Sequence, residues 1–232
     1  MMMRTAHFAA CAALIAIPAV AIAQAQKTTR NPTPRAKLAP ACTWKPSDAW
    51  VKRQAEFFAE AKHDWTNDSL RTALLAAAGL TAPLKAPVQL GVHVEGADAA
   101  PPASAAAMID ALNKLAATRG STWPTRSVVG AAGTHAVFVL ASLDTGLGRA
   151  ALHRMMEAGP AESPAADVAT LEDRLRLAWG RKQIYGTQFR RGADGKIELA
   201  PMEDSAHADL RREDAGLPPF KFGLCLATRG GS

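Results

Sequence analysis

The sequence is poor in aromatic residues and in cysteine. Phe, Trp and Tyr make up 6% of its 232 residues, with a single tyrosine, Tyr185, and there are three cysteines. Hydrophobic residues nevertheless account for 48%, which is the composition of a globular protein and excludes a disordered one. Much of that fraction is alanine, the residue with the highest helix propensity, and β-branched residues are not abundant. We therefore predict a mainly α-helical fold.

A concentrated charge of one sign is also absent. The net charge is +6, and the basic residues are dispersed, with only short pairs such as Arg190-Arg191 and Arg211-Arg212. Proteins that bind nucleic acid usually concentrate lysine and arginine, together with aromatic residues, on one face. The sequence therefore predicts a solvated basic surface and no nucleic-acid partner.

The motifs of several enzyme classes are missing. There is no Walker-type glycine-rich loop, no dinucleotide fingerprint, no G-x-S-x-G elbow and no H-E-x-x-H. The adjacent carboxylates Glu172-Asp173 point in different directions on a helix, whereas paired catalytic acids face each other across a substrate. We expect no cofactor and no metal site, and the sequence identifies no catalytic residue. Two histidines four residues apart on a helix can hold a metal ion, but no two of the histidines after residue 23 have this spacing. These histidines are His63, His93, His135, His153 and His207.

The first residues have the pattern of a secretory signal peptide. Arg4 supplies a positive charge, an apolar run follows from Phe8 to Val20, and small residues around Ala23 and Ala25 fit a cleavage site. A membrane anchor is the alternative, but the run is short for a hydrocarbon core of about 30 Å. We therefore predict a signal peptide over residues 1–23.

Export follows from this signal, to the periplasm or to the outside of the cell. Cys11 faintly resembles the residue of a lipoprotein cleavage box, but it lies inside the apolar run, which disfavours lipid attachment. After cleavage no apolar run approaches membrane length, so we expect no membrane contact.

Two cysteines remain after cleavage, Cys42 and Cys225. An oxidising compartment permits a disulfide between them, and two separate buried thiols are the alternative. The ends of a domain often lie close together, which favours the disulfide. Closing so long a loop would stabilise the fold by about 4–5 kcal/mol in the chain-entropy model.

The mature chain reads as a linker followed by one domain. Residues 24–41 are polar and contain three prolines, which is typical of a flexible linker. The domain is predicted over residues 42–232. Apolar residues at steps of three and four indicate successive helices, including one from Val128 to Leu143 that carries Gly130 and Gly133 as packing residues.

A small β-hairpin is predicted near the C-terminal end, at about 183–200. Asp194-Gly195 is a turn signal between an extended stretch and the alternating residues Ile197 to Leu199. A second short strand is predicted from Val88 to Val94. After Pro219 the sequence reads as a short tail that contains Cys225.

Hydrogen-bonding side chains gather at the change from helix to hairpin and at one earlier helix entrance. We interpret them as candidates for a ligand pocket that would hold a small molecule or part of a protein. The alternative is that they satisfy buried backbone groups where the helices meet the hairpin. The candidate ligand-binding residues are Trp123, Arg126, Asp173, Arg174, Gln183, Tyr185, Thr187 and Gln188.

Three stretches carry a family resemblance. They are Trp123-Pro-Thr-Arg-Ser-Val-Val-Gly130; Asp173-Arg174 with Gly180-Arg-Lys-Gln-Ile-Tyr-Gly-Thr-Gln188; and Pro201-Met-Glu-Asp204 with Arg211-Arg212 and Gly216-Leu-Pro-Pro219. In this order they resemble an uncharacterised bacterial family, domain of unknown function 6624, over about residues 103–222. The resemblance implies no established activity.

One departure from the family pattern bears on function. The resemblance implies a Gln-His pair on the helix after the Trp-Pro motif, and this chain has Ala141-Ser142 at the corresponding place. If that histidine performs chemistry in relatives, this chain lacks it. We therefore expect an exported binding or interaction domain. A hydrolase-like enzyme that uses the Asp173–Gln188 surface, and a purely structural role for the motif, are the alternatives.

Overall fold

The structure is a computed structural model that describes residues 42–58, 65–82, 84, 91–96, 100–118 and 120–230. All of them fall within one unit, residues 41–232. The predicted signal peptide (1–23) and the predicted linker (24–41) lie outside the described residues, as does the first part of the strand predicted from Val88.

Within these residues the chain is mainly α-helical, as predicted, with eight helices and three short strands. The helices are α1 (Asp48–Phe58), α2 (Asp68–Ala78), α3 (Ala105–Ala117), α4 (Arg126–Ala141), α5 (Thr145–Ala158), α6 (Ala165–Ala178), α7 (Ala208–Asp214) and α8 (Phe220–Gly230). The strands are β1 (His93–Val94), β2 (Gln188–Arg191) and β3 (Ile197–Leu199), and a 3₁₀ turn, Ser205–His207, precedes α7.

Helix α4 occupies the centre of the core and contacts α1, α2, α3, α5 and α6. Its residues from Val129 to Val137 are all buried, and most of them are alanine or glycine, which lets neighbouring helices approach closely. Leucines from the surrounding helices complete the core, among them Leu74, Leu112, Leu147 and Leu171. Burial of such side chains is the main favourable term in the stability of the fold.

The prediction of an unbroken helix through Gly130 is wrong. Gly130 has φ +71°, a left-handed conformation, and it interrupts α4. The Arg71 Nη1 donates a hydrogen bond of 2.9 Å to the Val129 carbonyl beside this break. A Cβ at position 130 would lie 2.5 Å from that Nη1, so glycine is required both by the backbone and by the neighbouring side chain.

The predicted hairpin is present as the antiparallel pair β2 and β3, in which Phe189 lies opposite Leu199. Strand β1 pairs with β2 in parallel, and His93 lies opposite Gln188. The sheet order is β1-β2-β3. This pairing brings a histidine from the first half of the chain next to the hairpin.

The C-terminal segment differs from the predicted tail because it forms the helix α8. Cys225 lies in this helix and is bonded to Cys42, with 5.7 Å between their Cα atoms, which confirms the predicted disulfide. The bond closes 183 residues of sequence. None of the described helices combines the length and the apolar character that crossing a membrane requires.

Candidate functional site

Asp173 organises the turn that leads into the hairpin. Its carboxylate accepts hydrogen bonds from the backbone N–H groups of Ile184 at 2.7 Å, Tyr185 at 3.0 Å and Thr187 at 3.0 Å, and from the Thr187 hydroxyl at 2.8 Å. The residue is 0% exposed. A carboxylate with four donors inside the protein holds the backbone in place, and it is enclosed from any ligand.

Two arginines hold the carbonyl side of the same turn. Arg211 Nε donates to the Ile184 carbonyl at 2.8 Å, and Arg212 Nη1 donates to the carbonyls of Tyr185 and Gly186 at 2.9 and 3.2 Å. Arg212 is fully buried. Burial lowers the pKa of its guanidinium to about 10, and the negative charges of Asp173 and Asp209 oppose that fall. We call the segment from Gln183 to Gln188 the clamped turn.

Gln183 and Gln188 close this turn onto the sheet. The Gln183 amide donates to the carbonyls of Gln188 and Ala200, both at 2.9 Å, and its oxygen accepts from the Gln188 N–H at 2.9 Å. The Gln188 amide donates to the Thr170 carbonyl and to the Thr187 hydroxyl, at 3.2 and 3.0 Å. Gln183, Thr187 and Asp173 are therefore buried residues that hold the backbone of this turn in place.

A cavity of about 370 Å³ lies on the other side of Gln188, between α4, α6, α8 and the strands β1 and β2. Arg174 Nη1 donates a 2.8 Å hydrogen bond to His93 Nε2 in its wall. Two adjoining hollows of about 380 and 410 Å³ also contain His93 and Arg174 in their walls. The polar residues that line this central cavity are His93, His135, Ser142, Asp167, Thr170, Arg174 and Gln188.

His135 and Asp167 form a buried pair in this wall. His135 Nδ1 lies 2.9 and 3.1 Å from the two carboxylate oxygens of Asp167. His135 is 6% exposed and Asp167 2%. Because Nδ1 faces a carboxylate, it carries a proton and donates it, so the neutral imidazole has its lone pair on Nε2.

The charge of this pair is set by two opposing effects. Burial is the largest influence on the pKa of His135 and favours the neutral ring. The negative charge of Asp167 and its hydrogen bond together outweigh burial, so that the pKa of His135 lies above its ordinary value of 6.5. Asp167 therefore favours the protonated form of the ring.

The other predicted site residues lie outside this cavity. Trp123 is buried, and its Nε1 has no hydrogen-bond partner among the described residues. Arg126 lines a separate hollow of about 300 Å³. Tyr185 is half-buried and lines another of about 330 Å³. Burial, followed by the charges of nearby Glu172 and Asp173, raises the pKa of Tyr185 above its ordinary 10.0, so its hydroxyl stays protonated.

The structure therefore brings Arg174 and Gln188 to one cavity and places Asp173, Gln183 and Thr187 behind it. Sequence reasoning missed His135 and Asp167 as a pair. They are 32 residues apart, on α4 and α6, so no local pattern joins them. One local relationship is the spacing of Ser142, which follows His135 by seven residues, or about two helical turns, and both line the cavity.

A family model described as "Family of unknown function (DUF6624)" matches residues 81–228. This chain belongs to that family. The match extends beyond the predicted 103–222 at both ends, and it includes β1 as well as both members of the His135–Asp167 pair. The comparisons with curated proteins and with solved structures found no match.

A metal site would need several ligating side chains grouped around one point. In the described part of the chain, no three His, Cys, Asp or Glu side chains are grouped so that they could hold a metal ion. His135 already directs Nδ1 at Asp167.

Proposed function

We propose that this protein is an exported binding domain that holds a small carboxylate-bearing molecule in the cavity beside Gln188. The observation that carries the proposal is the convergence of polar side chains from α4, α6, β1 and β2 on one cavity of about 370 Å³. Such convergence in a cavity of this size is typical of small-molecule sites.

Arg174 favours an anion in the cavity, while the Asp167 carboxylate in the same wall is paired with His135. Arg174 places a permanent cation in the wall, and guanidinium groups form strong charge-assisted hydrogen bonds with carboxylates. His135 adds positive charge when it is protonated, and its hydrogen bond to Asp167 favours that state. Gln188 and Ser142 offer polar atoms beside these charges, which suits the uncharged polar part of a metabolite.

The test is a thermal-shift screen of small mono- and dicarboxylates, inorganic phosphate and neutral sugars, followed by titration calorimetry of the compounds that stabilise the protein. A ligand at 100 times its Kd stabilises the folded state by about 2.7 kcal/mol. We expect dicarboxylates to raise the melting temperature of the unaltered protein and to have little effect on Arg174→Gln.

Arg181→Gln is the matched control, because Arg181 is exposed and lies outside the cavity. It should respond to carboxylates as the unaltered protein does. The proposal fails if Arg174→Gln binds them equally well, or if neutral sugars stabilise the protein as much as carboxylates do.

We propose export for the same protein, on two grounds. The first residues have signal-peptide character, and the Cys42–Cys225 disulfide suits an oxidising compartment. Mass spectrometry of the protein recovered from the producing cells tests this, because cleavage after Ala23 or Ala25 would leave Gln24 or Gln26 at the N-terminus. An intact Met1 on the folded, disulfide-bonded protein would contradict it.

A further inference from the structure

We infer that the His135–Asp167 pair is a catalytic acid–base pair that hydrolyses an ester of the carboxylate-bearing molecule held in this cavity. The inference rests on the proposed binding function and adds a reaction to it. The inference is based on the orientation of the His135 imidazole ring. Nδ1 is fixed by Asp167, and Nε2 is left for a ligand or a water molecule in the cavity that both residues line.

The two nitrogens of His135 are treated differently by the protein. Asp167 fixes the ring orientation and its tautomer through Nδ1. Nε2 makes no hydrogen bond within the described residues. It is also not fully enclosed, so a small molecule can reach it. A histidine that served only the core would have both nitrogens satisfied inside it.

A contribution to the stability of the fold does not by itself explain why His135 and Asp167 are buried together. Enclosing a carboxylate and an imidazole removes both from water, and a well-packed apolar pair of similar volume is often as stabilising or more so. A carboxylate that orients a histidine and stabilises its protonated form is, however, what general acid–base catalysis requires.

The nucleophile is assigned to water. The Ser142 hydroxyl lines the same cavity but donates its hydrogen to the Phe138 carbonyl of its own helix at 2.9 Å. It is therefore not directed at the imidazole as the serine of a catalytic triad would be. In the proposed step His135 Nε2 removes a proton from water while the water oxygen forms a bond to the ester carbonyl carbon.

The electrons and protons of the step balance without a further reactant. The carbonyl π pair moves to its oxygen and returns as the bond between the carbonyl carbon and the alcohol oxygen breaks. The proton held on Nε2 passes to the departing alkoxide. Water is consumed, an acid and an alcohol are formed, and His135 returns to its neutral state. Nothing is oxidised or reduced.

The substrate class follows from the cavity. Its volume of about 370 Å³ suits a small ester, and Arg174 shares the wall with His135 and attracts an anionic group on the same molecule. The charged and titratable groups that share this wall with His135 are Asp167 and Arg174 of α6 and His93 of β1. A neutral ester of the same acyl type should therefore be a poorer substrate.

The experiment compares hydrolysis of the mono-4-nitrophenyl ester of glutaric acid with that of 4-nitrophenyl pentanoate, which has an acyl chain of the same length and no charge. We expect the glutarate ester to be preferred, and His135→Gln to lose at least about 100-fold in kcat/KM, the usual contribution of a general base. His153→Gln is the matched control, since His153 lies on the exposed face of α5 and outside the cavity. It should retain full activity.

The pH profile separates catalysis from support of the fold. The rate with the unaltered protein should rise with pH as His135 loses its proton, and Asp167→Asn should move that rise to lower pH because the opposing effect of burial remains. If the variants fold poorly, the same test can be made on the unaltered protein by carbethoxylation of its histidine side chains. Modification at His135 should abolish hydrolysis, hydroxylamine should restore it, and glutarate should protect against it.

Calorimetry with glutarate distinguishes the two proposals. Glutarate binding that depends on Arg174, with hydrolysis no faster in the unaltered protein than in His135→Gln, overturns the catalytic inference and leaves the binding function standing. Hydrolysis that depends on His135 without glutarate binding or glutarate preference overturns the anion-binding proposal and the proposed substrate class, and it supports only the acid–base role of the pair. Absence of both overturns both.

Discussion

Thr187 gives both its backbone N–H and its hydroxyl to one oxygen of Asp173, Oδ2, at 3.0 and 2.8 Å. The same hydroxyl accepts a 3.0 Å hydrogen bond from the Gln188 amide, which lines the cavity. A fully buried carboxylate on α6 is thus connected through one threonine to the wall of the candidate site. The position of Gln188 depends on this connection.

Thr187→Val should destabilise the protein by about 1–3 kcal/mol, the cost of leaving buried hydrogen-bonding groups without partners. Valine keeps the shape of threonine but removes the hydroxyl, so Asp173 loses a donor and Gln188 loses an acceptor. The measurement is the free energy of unfolding in urea. Thr187→Ser keeps the hydroxyl and should lose less than the valine variant. Equal losses in the two variants would mean that this hydroxyl contributes little.

Arg212 and Arg211 are neighbours with different surroundings, and their methionine variants should differ accordingly. Arg212→Met removes the hydrogen bonds to the carbonyls of Tyr185, Gly186 and Pro218 and a cation that faces the buried Asp173, so we expect a loss of about 3–5 kcal/mol. Arg211 is partly exposed, and Arg211→Met should cost about 1 kcal/mol. Urea unfolding followed by circular dichroism gives both values. A larger loss for Arg211→Met would contradict the described burial.

The stability that His135 contributes should depend on pH. Its folded-state pKa lies above the ordinary 6.5, because Asp167 outweighs the effect of burial. This contribution is therefore fully present below pH 6.5 and is lost as the pH rises through the folded-state value. The free energy of unfolding of the unaltered protein should exceed that of His135→Gln by more at low pH than at high pH. A difference that grows with pH would reverse the sign and refute the argument.

The parts of the fold that could be predicted from the sequence are those that depend on residues close together in the chain. Alternation around Asp194-Gly195 predicts the hairpin, because turn chemistry and strand period both act over a few residues. The break at Gly130 depends on Arg71 from another helix, so a continuous helical pattern concealed it. The residues after Pro219 were predicted as a tail, whereas they form α8, which contacts α7 and β3 and carries the disulfide.

Only part of the candidate site could be predicted from the sequence, because its residues come from distant parts of the chain. Arg174 and Gln188 belong to a dense run of polar residues and were predicted as ligand contacts, and both line the cavity. His135 and Asp167 each occur alone in a helical stretch. Only the packing of α4 against α6 brings them within hydrogen-bonding distance. The ligand-binding role of all these residues remains a prediction.

Replacing both Cys42 and Cys225 with serine should lower the free energy of unfolding by about 2–5 kcal/mol. The reason is that the disulfide closes 183 residues of sequence, which restricts the unfolded chain more than the folded one. Guanidinium unfolding with and without a reductant measures the loss. The reductant should destabilise the unaltered protein and leave the double variant unchanged. If both respond equally, the stabilisation does not come from this bond.

The same bond also decides how the protein responds to mechanical tension. A force that pulls on the chain before Cys42 and after Cys225 is carried by the covalent link between them. The helices and strands in between stay out of the load path, so tension does not draw them apart. A molecule tethered at its two ends would therefore keep the helices and strands between Cys42 and Cys225 together under loads that unravel a domain held only by noncovalent contacts.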